Sequence, residues 1–304
     1  MQVTRGKKHT YLGMDLDYTT PGQVSISMFD YIDQILATFQ KEYPECGGTK
    51  TCAAPRNLFV VDEDAEKLST NKTIVFHNLV AKTLYTTKRA RPDTCTSVAF
   101  LTTRAKEPDV NDEKKLIHLM KYLRGTRRLP LILSADGSGI LKWWVDASFA
   151  VHPNLRGQSG GGLSLGRGFP IVGSTKQKLN TRSSTECEVV GADDFMPAIL
   201  WTRYFLLAQD YVVKDNILLQ DNMSAELLEK NGKASSGKRT KHMNIRYFFI
   251  TDRIKKGEVT VAWCPADEMI GDFMTKPLQG ALFTRFRDMI MGVVSLTKFE
   301  TQKL

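Results

Sequence analysis

The chain has 304 residues, which is long for one compact core and favours two domains. With 42% hydrophobic and 25% charged residues, its composition is that of a folded protein and excludes a disordered or fibrous chain. The 42 Lys and Arg residues outnumber the 33 Asp and Glu residues and give a net charge of +9, which indicates a polyanionic partner, either nucleic acid or an anionic membrane surface.

The first half begins with a hairpin pattern and continues with helical patterns. Residues 11–17 and 23–28 alternate apolar and polar side chains around the turn-forming YTTPG, which predicts a β-hairpin. Residues 30–42 have the apolar spacing of a helix, whereas residues 43–73 contain Pro, Gly and a charged run that predict an exposed connection. Three further helices are predicted at residues 76–88, 94–105 and 109–126.

The second half begins with short β-rich runs separated by glycine turns. These runs are PLILSA, ILKWWVDASFAV, GGGLSLG and FPIVGST. They are followed by a helix from about Ser184 to Ala208, a strand at NILLQD, helices at NMSAELLEKNG and from about Lys241 to Lys256, a strand at EVTVAWC and a last helix near Met269. The order predicts an α/β domain in which helices cover a mixed sheet.

The sequence shows no clear sign of a membrane span, a secretory signal, a disulfide framework or a zinc site. No run of about 18 apolar residues could cross a bilayer, and the N-terminal MQVTRGKKHT lacks the apolar core of a secretory signal. The five cysteines are odd in number and scattered, which favours reduced thiols over a disulfide framework or a zinc site. We therefore expect an intracellular protein, cytoplasmic or nuclear, that is neither secreted nor membrane-bound.

Four acidic residues stand at the ends or in the middle of predicted elements: Asp146, Glu186, Asp221 and Asp272. Asp146 interrupts the apolar strand WWVDASFA, where a buried charge costs several kcal/mol unless it is compensated. Carboxylates brought together repel one another until a divalent cation neutralises them, and magnesium prefers such oxygen ligands. Two ions about 3.5 to 4 Å apart would support hydrolysis of a phosphodiester.

Three of the four acids also have a structural interpretation. Glu186 at a helix start could cap that helix or stabilise its dipole, and Asp221 before Asn222 could be a turn or cap residue. Asp272 alone could be a surface acid, with Asp267 and Glu268 as competitors. Only the acid inside WWVDASFA favours function by itself, so spacing alone makes a weak case for a metal cluster.

The motifs around these acids resemble a known family. In chain order they are WWVDASFA, RGQSGGGLSLG, STKQKLNTRSSTECEVVGADD, LLQDNMSAELL, RTKHMNIRYFFITDRI and DFMTKPL. The series resembles the ribonuclease H domain of copia-type retrotransposon polyproteins. The resemblance implies a ribonuclease H-like mixed five-stranded sheet with flanking helices over residues 136–280. It also implies hydrolysis of the RNA strand of RNA:DNA hybrids with two Mg²⁺ ions, Mn²⁺ being a substitute, held by Asp146, Glu186, Asp221 and Asp272.

The first half resembles the end of the reverse transcriptase of the same elements. Residues 1–58 would form its hairpin and thumb-like helix, residues 59–135 a helical connection and residues 281–304 a tail. The polymerase's paired-aspartate motif, of the YVDD kind, does not occur, so we expect a fragment without polymerase activity. Other parts of the polyprotein are further expected partners. The alternative is an inactive transposon relic that still binds nucleic acid.

Basic and polar residues near the acids are candidates for contacts with the hybrid. They are Lys176, Lys178 and Arg182 before the long helix, Arg239, Lys241 and His242 in the TKH region, and Ser148, Ser184 and Asn222 beside the acids. The lysines and arginines are expected to contact phosphates, and the serines and the asparagine to contact ribose hydroxyls. A solvated face for the bases and helix capping for the others remain the alternatives, and His242 could equally orient a loop.

Overall fold

The computed structural model describes residues 5–232 and 244–296, which divide into two units. Unit 1 extends to Ala135 and also includes Arg167–Phe169 and Pro277–Leu296. Unit 2 includes Asp136–Gly166 and Pro170–Lys276. These two segments of unit 2 are therefore inserted into unit 1 in chain order and are interrupted by its short middle segment.

Unit 1 combines an antiparallel sheet with helices. Its first strands are β1 (Lys8–Tyr11), β2 (Met14–Asp17), β3 (Val24–Ser27) and β4 (Leu131–Ala135), paired in that order. Its helices are α1 (Phe29–Glu42), α2 (Thr70–Thr87), α3 (Cys95–Arg104) and α4 (Val110–Gly125). The predicted hairpin is confirmed as β2 and β3. β1 was not predicted, because its largely exposed KHTY sequence has no apolar alternation.

The connection predicted to be exposed is partly buried. Between α1 and α2, Cys52 and Leu58 are buried. The backbone N–H of Lys50 donates to the carbonyl of Lys121 in α4 at 3.3 Å, and the His118 ring hydrogen bonds the carbonyl of Cys52 at 2.9 Å. The prediction was wrong here because these bonds to α4 satisfy the irregular backbone in place of water.

A fully buried ion pair in the segment between α2 and α3 joins this segment to α4. Arg91 makes two hydrogen bonds to the Asp93 carboxylate, at 2.8 and 2.6 Å, and both side chains are 0% exposed. The Tyr122 hydroxyl donates to Asp93, and Arg91 also donates to the hydroxyl and carbonyl oxygens of Thr126. This network satisfies both charges away from water, as a buried pair requires.

Unit 2 is built on a mixed five-stranded sheet. Its strands are β5 (Ile140–Ser148), β6 (Gln158–Ser164), β8 (Ile171–Lys176), β9 (Asp215–Gln220) and β10 (Thr260–Trp263), in the order β10-β9-β5-β6-β8. β5–β6 and β6–β8 are antiparallel, whereas β5–β9 and β9–β10 are parallel. Between β6 and β8, the two-residue β7 (Gly166–Arg167) is the fifth strand of the first sheet. The predicted α/β mixed sheet is confirmed.

The helices of unit 2 are α5 (Ser184–Ala208), α6 (Met223–Asn231), α7 (Asn244–Lys255) and the one-turn α8 (Asp272–Thr275); α9 (Gly280–Ile290) belongs to unit 1. Apolar residues of α5 pack on Leu141, Trp143 and Val145 of β5 in one core. Trp143 and Trp144 are buried, as predicted for core residues. In the described part of the chain, no helix is both long and apolar enough to span a membrane.

A buried acid in α6 makes the stability of unit 2 dependent on pH. Glu229 is 0% exposed and accepts a long 3.4 Å hydrogen bond from Gln220, and burial raises its pKa from 4.5 to about 8. The folded state therefore holds the proton more tightly than the unfolded state. The stabilising contribution is complete below pH 4.5 and is lost as the pH rises through about 8.

We therefore expect Glu229→Gln to stabilise the protein at alkaline pH by on the order of 4 kcal/mol, because the amide cannot ionise. Thermal unfolding of both proteins between about pH 5 and 9 measures this. The melting temperature of the wild type should fall relative to that of the variant as the pH rises. Two parallel pH curves would contradict the prediction.

Candidate metal centre

Asp146 and Asp221 are brought level by neighbouring parallel strands. β5 pairs with β9 so that Trp144 stands opposite Leu219. Continuing that register by two residues places Asp146 level with Asp221, the first residue after β9. Neighbouring strands lie about 4.8 Å apart. The two carboxylates therefore start from backbone positions close enough to share a cation.

Glu188 reaches this pair because α5 packs closely on β5. Gly191, one turn further along α5, faces Ala147, and a Cβ atom on this glycine would lie only 3.2 Å from the Cβ of Ala147. Burial raises the pKa of the Glu188 carboxylate, and the Ala147 backbone acts on that carboxylate with a smaller, opposite effect. One carboxylate oxygen from each of Asp146, Glu188 and Asp221 lies within 4.8 Å of the others. These three side chains form the acid group.

Glu186, the residue assigned from the motif, lies outside this group. The Ser183 hydroxyl caps α5 by accepting from the backbone N–H of Glu186 at 3.2 Å, and the Glu186 carboxylate accepts from the backbone N–H of Arg182 at 2.7 Å. Residues two apart on a helix point about 200° apart, so Glu186 and Glu188 cannot face one point. We therefore correct the assignment to Glu188, and the capping interpretation of Glu186 is the one that the structure supports.

Asp272 is joined to the acid group by Lys276, which the sequence analysis did not single out. The Lys276 ammonium lies 2.6 Å from Asp272 Oδ1 and 3.7 Å from Asp146 Oδ1, so one cation bridges two carboxylates. The Thr275 hydroxyl donates to the other oxygen of Asp146. The sequence could have predicted this pair, because a lysine four residues after an aspartate lies beside it on a helical turn.

Glycines allow α8 to lie against the sheet at Asp146. Gly160 of β6 pairs with Asp146, and a Cβ atom on Gly160 would lie 2.6 Å from the Cβ of Met274. A Cβ atom on Gly271 would lie 3.0 Å from the Cβ of Asp146. Any larger side chain at these glycines would move Asp272 away from the other acids. The three consecutive glycines at residues 160–162 therefore belong to a closely packed part of β6 and do not mark a turn.

The carboxylates have the pKa shifts of acids crowded together away from water. Burial, with repulsion from Asp146 and Asp221, raises the pKa of Glu188 well above its ordinary value. Burial and repulsion from Asp146 raise the pKa of Asp221 and raise that of Asp272 to about 6. Against the effect of burial, Asp146 and Asp272 raise the pKa of Lys276. A divalent cation would relieve this repulsion.

These residues fit a magnesium ion by the chemistry of their donors. All four acids offer carboxylate oxygens, the ligands that Mg²⁺ prefers. In the described residues, the Oε2 atom of Glu188 is buried without a hydrogen-bond partner. A buried polar atom left in this state costs free energy that a ligand would recover. The acid group is thus a candidate metal centre within unit 2.

Two of the three polar residues predicted to contact ribose have structural partners. Asn222 caps α6 by accepting from the backbone N–H groups of Ser224 and Ala225, at 3.1 and 3.0 Å. Ser148 is buried and donates to the carbonyl of Thr275 at 3.3 Å. Ser184 is exposed as the first residue of α5. For Asn222 the capping alternative is therefore confirmed.

Three of the basic residues predicted to contact phosphates lie at the end of β8 or between β8 and α5. Lys178 and Arg182 are exposed, and Lys176, the last residue of β8, is partly buried. These positions are compatible with phosphate contact, which stays a prediction. Three other predicted contacts lie outside the described residues: Arg239, Lys241 and His242.

The chain is similar in sequence to proteins encoded by transposons. It is 24% identical over 288 residues to the retrovirus-related Pol polyprotein from transposon TNT 1-94 of Nicotiana tabacum, over 94% of this chain and 22% of that protein. It is 27% identical over 202 residues to the Pol polyprotein from transposon RE1 of Arabidopsis thaliana, over 66% of this chain and 14% of the relative. Its homologues are the Pol polyproteins of copia-type retrotransposons.

A smaller relative of the copia-type group matches a similar share of the chain. A putative transposon Ty5-1 protein of Saccharomyces cerevisiae is 24% identical over 191 residues, over 62% of this chain and 60% of the yeast protein. No protein-family profile matches the chain. The chain spans less than a quarter of the two plant polyproteins. The resemblance to copia-type polyproteins expected from the motifs is confirmed.

Proposed function

We propose that the acid group and Asp272 form the metal centre of a ribonuclease H-type endonuclease. Its substrate would be the RNA strand of RNA:DNA hybrids. The observation that carries the proposal is the convergence of Asp146, Glu188 and Asp221 from three separate elements of unit 2. The order and directions of the five strands support the ribonuclease H-like fold that the motif resemblance implies. The relationship to copia-type Pol polyproteins supports it independently.

The side chains at this centre would have different roles. Asp146, Glu188, Asp221 and Asp272 would hold magnesium, which when bound activates water and stabilises the leaving oxygen of a phosphodiester. The Thr275 hydroxyl fixes the orientation of the Asp146 carboxylate. Lys276 holds Asp146 and Asp272 together, which lowers the cost of assembling four carboxylates. The burial of the acids keeps bulk water from screening their charge.

The exposed bases near α5 would position the hybrid. Lys178 and Arg182 stand on the approach to the helix that carries Glu188. Contacts from such side chains to phosphates orient a duplex without reading its sequence. Recognition of the RNA strand would then depend on contacts with 2′-hydroxyl groups.

The proposal is tested by incubating the purified full chain with a labelled RNA:DNA hybrid and magnesium. We expect endonucleolytic cleavage of the RNA strand, no cleavage of a matched DNA duplex, and loss of activity with a chelator. Asp146→Asn should also be inactive, because it removes charge from the most buried acid of the centre. A wild-type protein that binds the hybrid but leaves it intact would contradict the proposal and favour an inactive binding relic.

A further inference from the structure

Unit 1 has a pocket whose charged side chains are all basic. The pocket has a volume of about 310 Å³ and is lined by α4 and by the irregular segment that precedes α2. Its lining includes four lysines, one histidine and two asparagines, but no carboxylate. The name lysine pocket is used for the site formed by Lys50, Lys114, Lys115, His118 and Lys121.

Three of the four ammonium groups have no acidic partner among the described residues. Lys115 is buried, donates to the carbonyl of Val60 at 2.6 Å and pairs with Asp112 at 3.7 Å, so its charge is already compensated. The other three form no ion pair in the part of the chain that the structure describes: Lys50, Lys114 and Lys121. They provide the uncompensated charge of the pocket.

The backbone brings these charges together. Lys114, His118 and Lys121 follow one another at helical spacings of four and three on the same face of α4. A rise of about 1.5 Å per residue separates the two lysines by roughly 10 Å along the helix axis. Lys50 is tied to this face by the hydrogen bond from its backbone N–H to the carbonyl of Lys121. The arrangement is therefore fixed by secondary structure and by the backbone rather than by side-chain rotamers alone.

The local electrostatics favour an anion. The pKa of His118 is lowered, first by burial and then by the charges of Lys50 and Lys121, although its hydrogen bond to Cys52 acts in the opposite direction. Several like charges around one concave site repel one another, and an anion placed among them replaces that repulsion with attraction. The two asparagines of the lining, Asn57 and Asn111, add polar groups without charge.

We propose that the lysine pocket binds phosphate groups of a nucleic-acid backbone. The spread of Lys114 and Lys121 along α4 fits adjacent phosphates of a strand better than one isolated anion. The net charge of +9 gives the whole chain a long-range attraction to such a polyanion. The site belongs to unit 1, whereas the acid group belongs to unit 2. It binds nucleic acid whether or not the acid group hydrolyses it.

The test compares two variants that lose the same charge. One variant replaces the three uncompensated lysines of the pocket, K50Q/K114Q/K121Q. The control replaces three exposed lysines elsewhere in unit 1, K7Q/K41Q/K88Q. Binding of a fluorescein-labelled RNA:DNA hybrid is measured by anisotropy with the full chain in EDTA, across a salt series. The chelator prevents cleavage, so the result does not depend on the proposed hydrolysis.

We expect the pocket variant to bind about 30-fold more weakly or worse at roughly 0.1 M salt, because each lost phosphate contact contributes severalfold. The slope of log K against log salt should become less negative by about 2 to 3. The control should keep most of its affinity, and both variants should retain the wild-type circular dichroism spectrum.

Two results would overturn the proposal. The first is an equal loss of affinity in both variants, which would indicate net charge rather than a local site. The second is unchanged hybrid binding in the pocket variant. If hybrid binding were unchanged in the pocket variant but inorganic tripolyphosphate bound only the wild type, the pocket would be a site for free phosphate and not for nucleic acid. Competition between tripolyphosphate and the hybrid in the wild type alone would support the shared phosphate chemistry.

Discussion

Glu188→Gln should strongly slow cleavage of RNA:DNA hybrids, whereas Glu186→Gln should leave it close to the wild-type rate. Glu188 contributes a buried carboxylate to the acid group, and Glu186 accepts a backbone hydrogen bond at the start of α5. Removing one carboxylate from a metal centre sacrifices several kcal/mol of charge stabilisation. At about 1.4 kcal/mol for each tenfold change, this predicts a fall in kcat/KM on the order of 10²- to 10³-fold.

The matched pair separates catalysis from folding. Both changes make the same chemical substitution in the same helix, two residues apart. In EDTA, Glu188→Gln should melt at the same temperature as the wild type or higher, since it removes a carboxylate that Asp146 and Asp221 repel. Glu186→Gln should lower the melting temperature slightly, because a neutral cap interacts less favourably with the helix N-terminus. Loss of activity in Glu186→Gln alone would restore the original motif assignment.

Asp93→Asn should destabilise unit 1 by on the order of 3 kcal/mol, since it leaves the buried Arg91 charge without its counter-ion. The amide keeps nearly the same size as the carboxylate, so the effect reports charge rather than a cavity. A suitable control is Asp17→Asn, which breaks the exposed ion pair with Lys8. That pair is expected to contribute little to stability, because water and salt screen two exposed charges.

The two units can be followed separately in this experiment. All four tryptophans lie in unit 2: Trp143, Trp144, Trp201 and Trp263. Tryptophan fluorescence therefore reports on unit 2, while far-UV circular dichroism includes the helices of unit 1. In a urea titration, Asp93→Asn should shift the dichroism transition to lower urea and change the fluorescence midpoint much less. A shift of the same size in Asp17→Asn would contradict this account of the buried pair.

Elements with a strong period were predictable from sequence, and exposed or packing-dependent ones were not. α1 follows the predicted spacing, with Ile32, Ile35 and Phe39 buried, and α5 has the predicted bounds. β1 has no apolar alternation and is held only by its pairing with β2. The segment between α1 and α2 reads as a loop because its burial depends on α4, which is distant in sequence.

The choice between Glu186 and Glu188 shows the same limit at the candidate site. Both glutamates lie in the first turns of α5, and the rotation of α5 against β5 decides which of them reaches Asp146. Gly191 sets that rotation through its contact with Ala147, and it lies three residues after Glu188 on the same helix face. The position of Gly191 on the same helix face as Glu188 was therefore the sequence feature that could have favoured Glu188 over Glu186.

The insertion of unit 2 into unit 1 has a consequence for biosynthesis. Unit 1 receives α9 last, with Phe283, Phe286 and Ile290 buried in it and the Phe283 ring 5.6 Å from that of Tyr122. A nascent chain leaves the ribosome from its N-terminus, so every residue of unit 2 through Lys276 emerges before α9 does. Unit 2 can thus fold during translation while unit 1, most of which is synthesised earlier, still lacks its final helix.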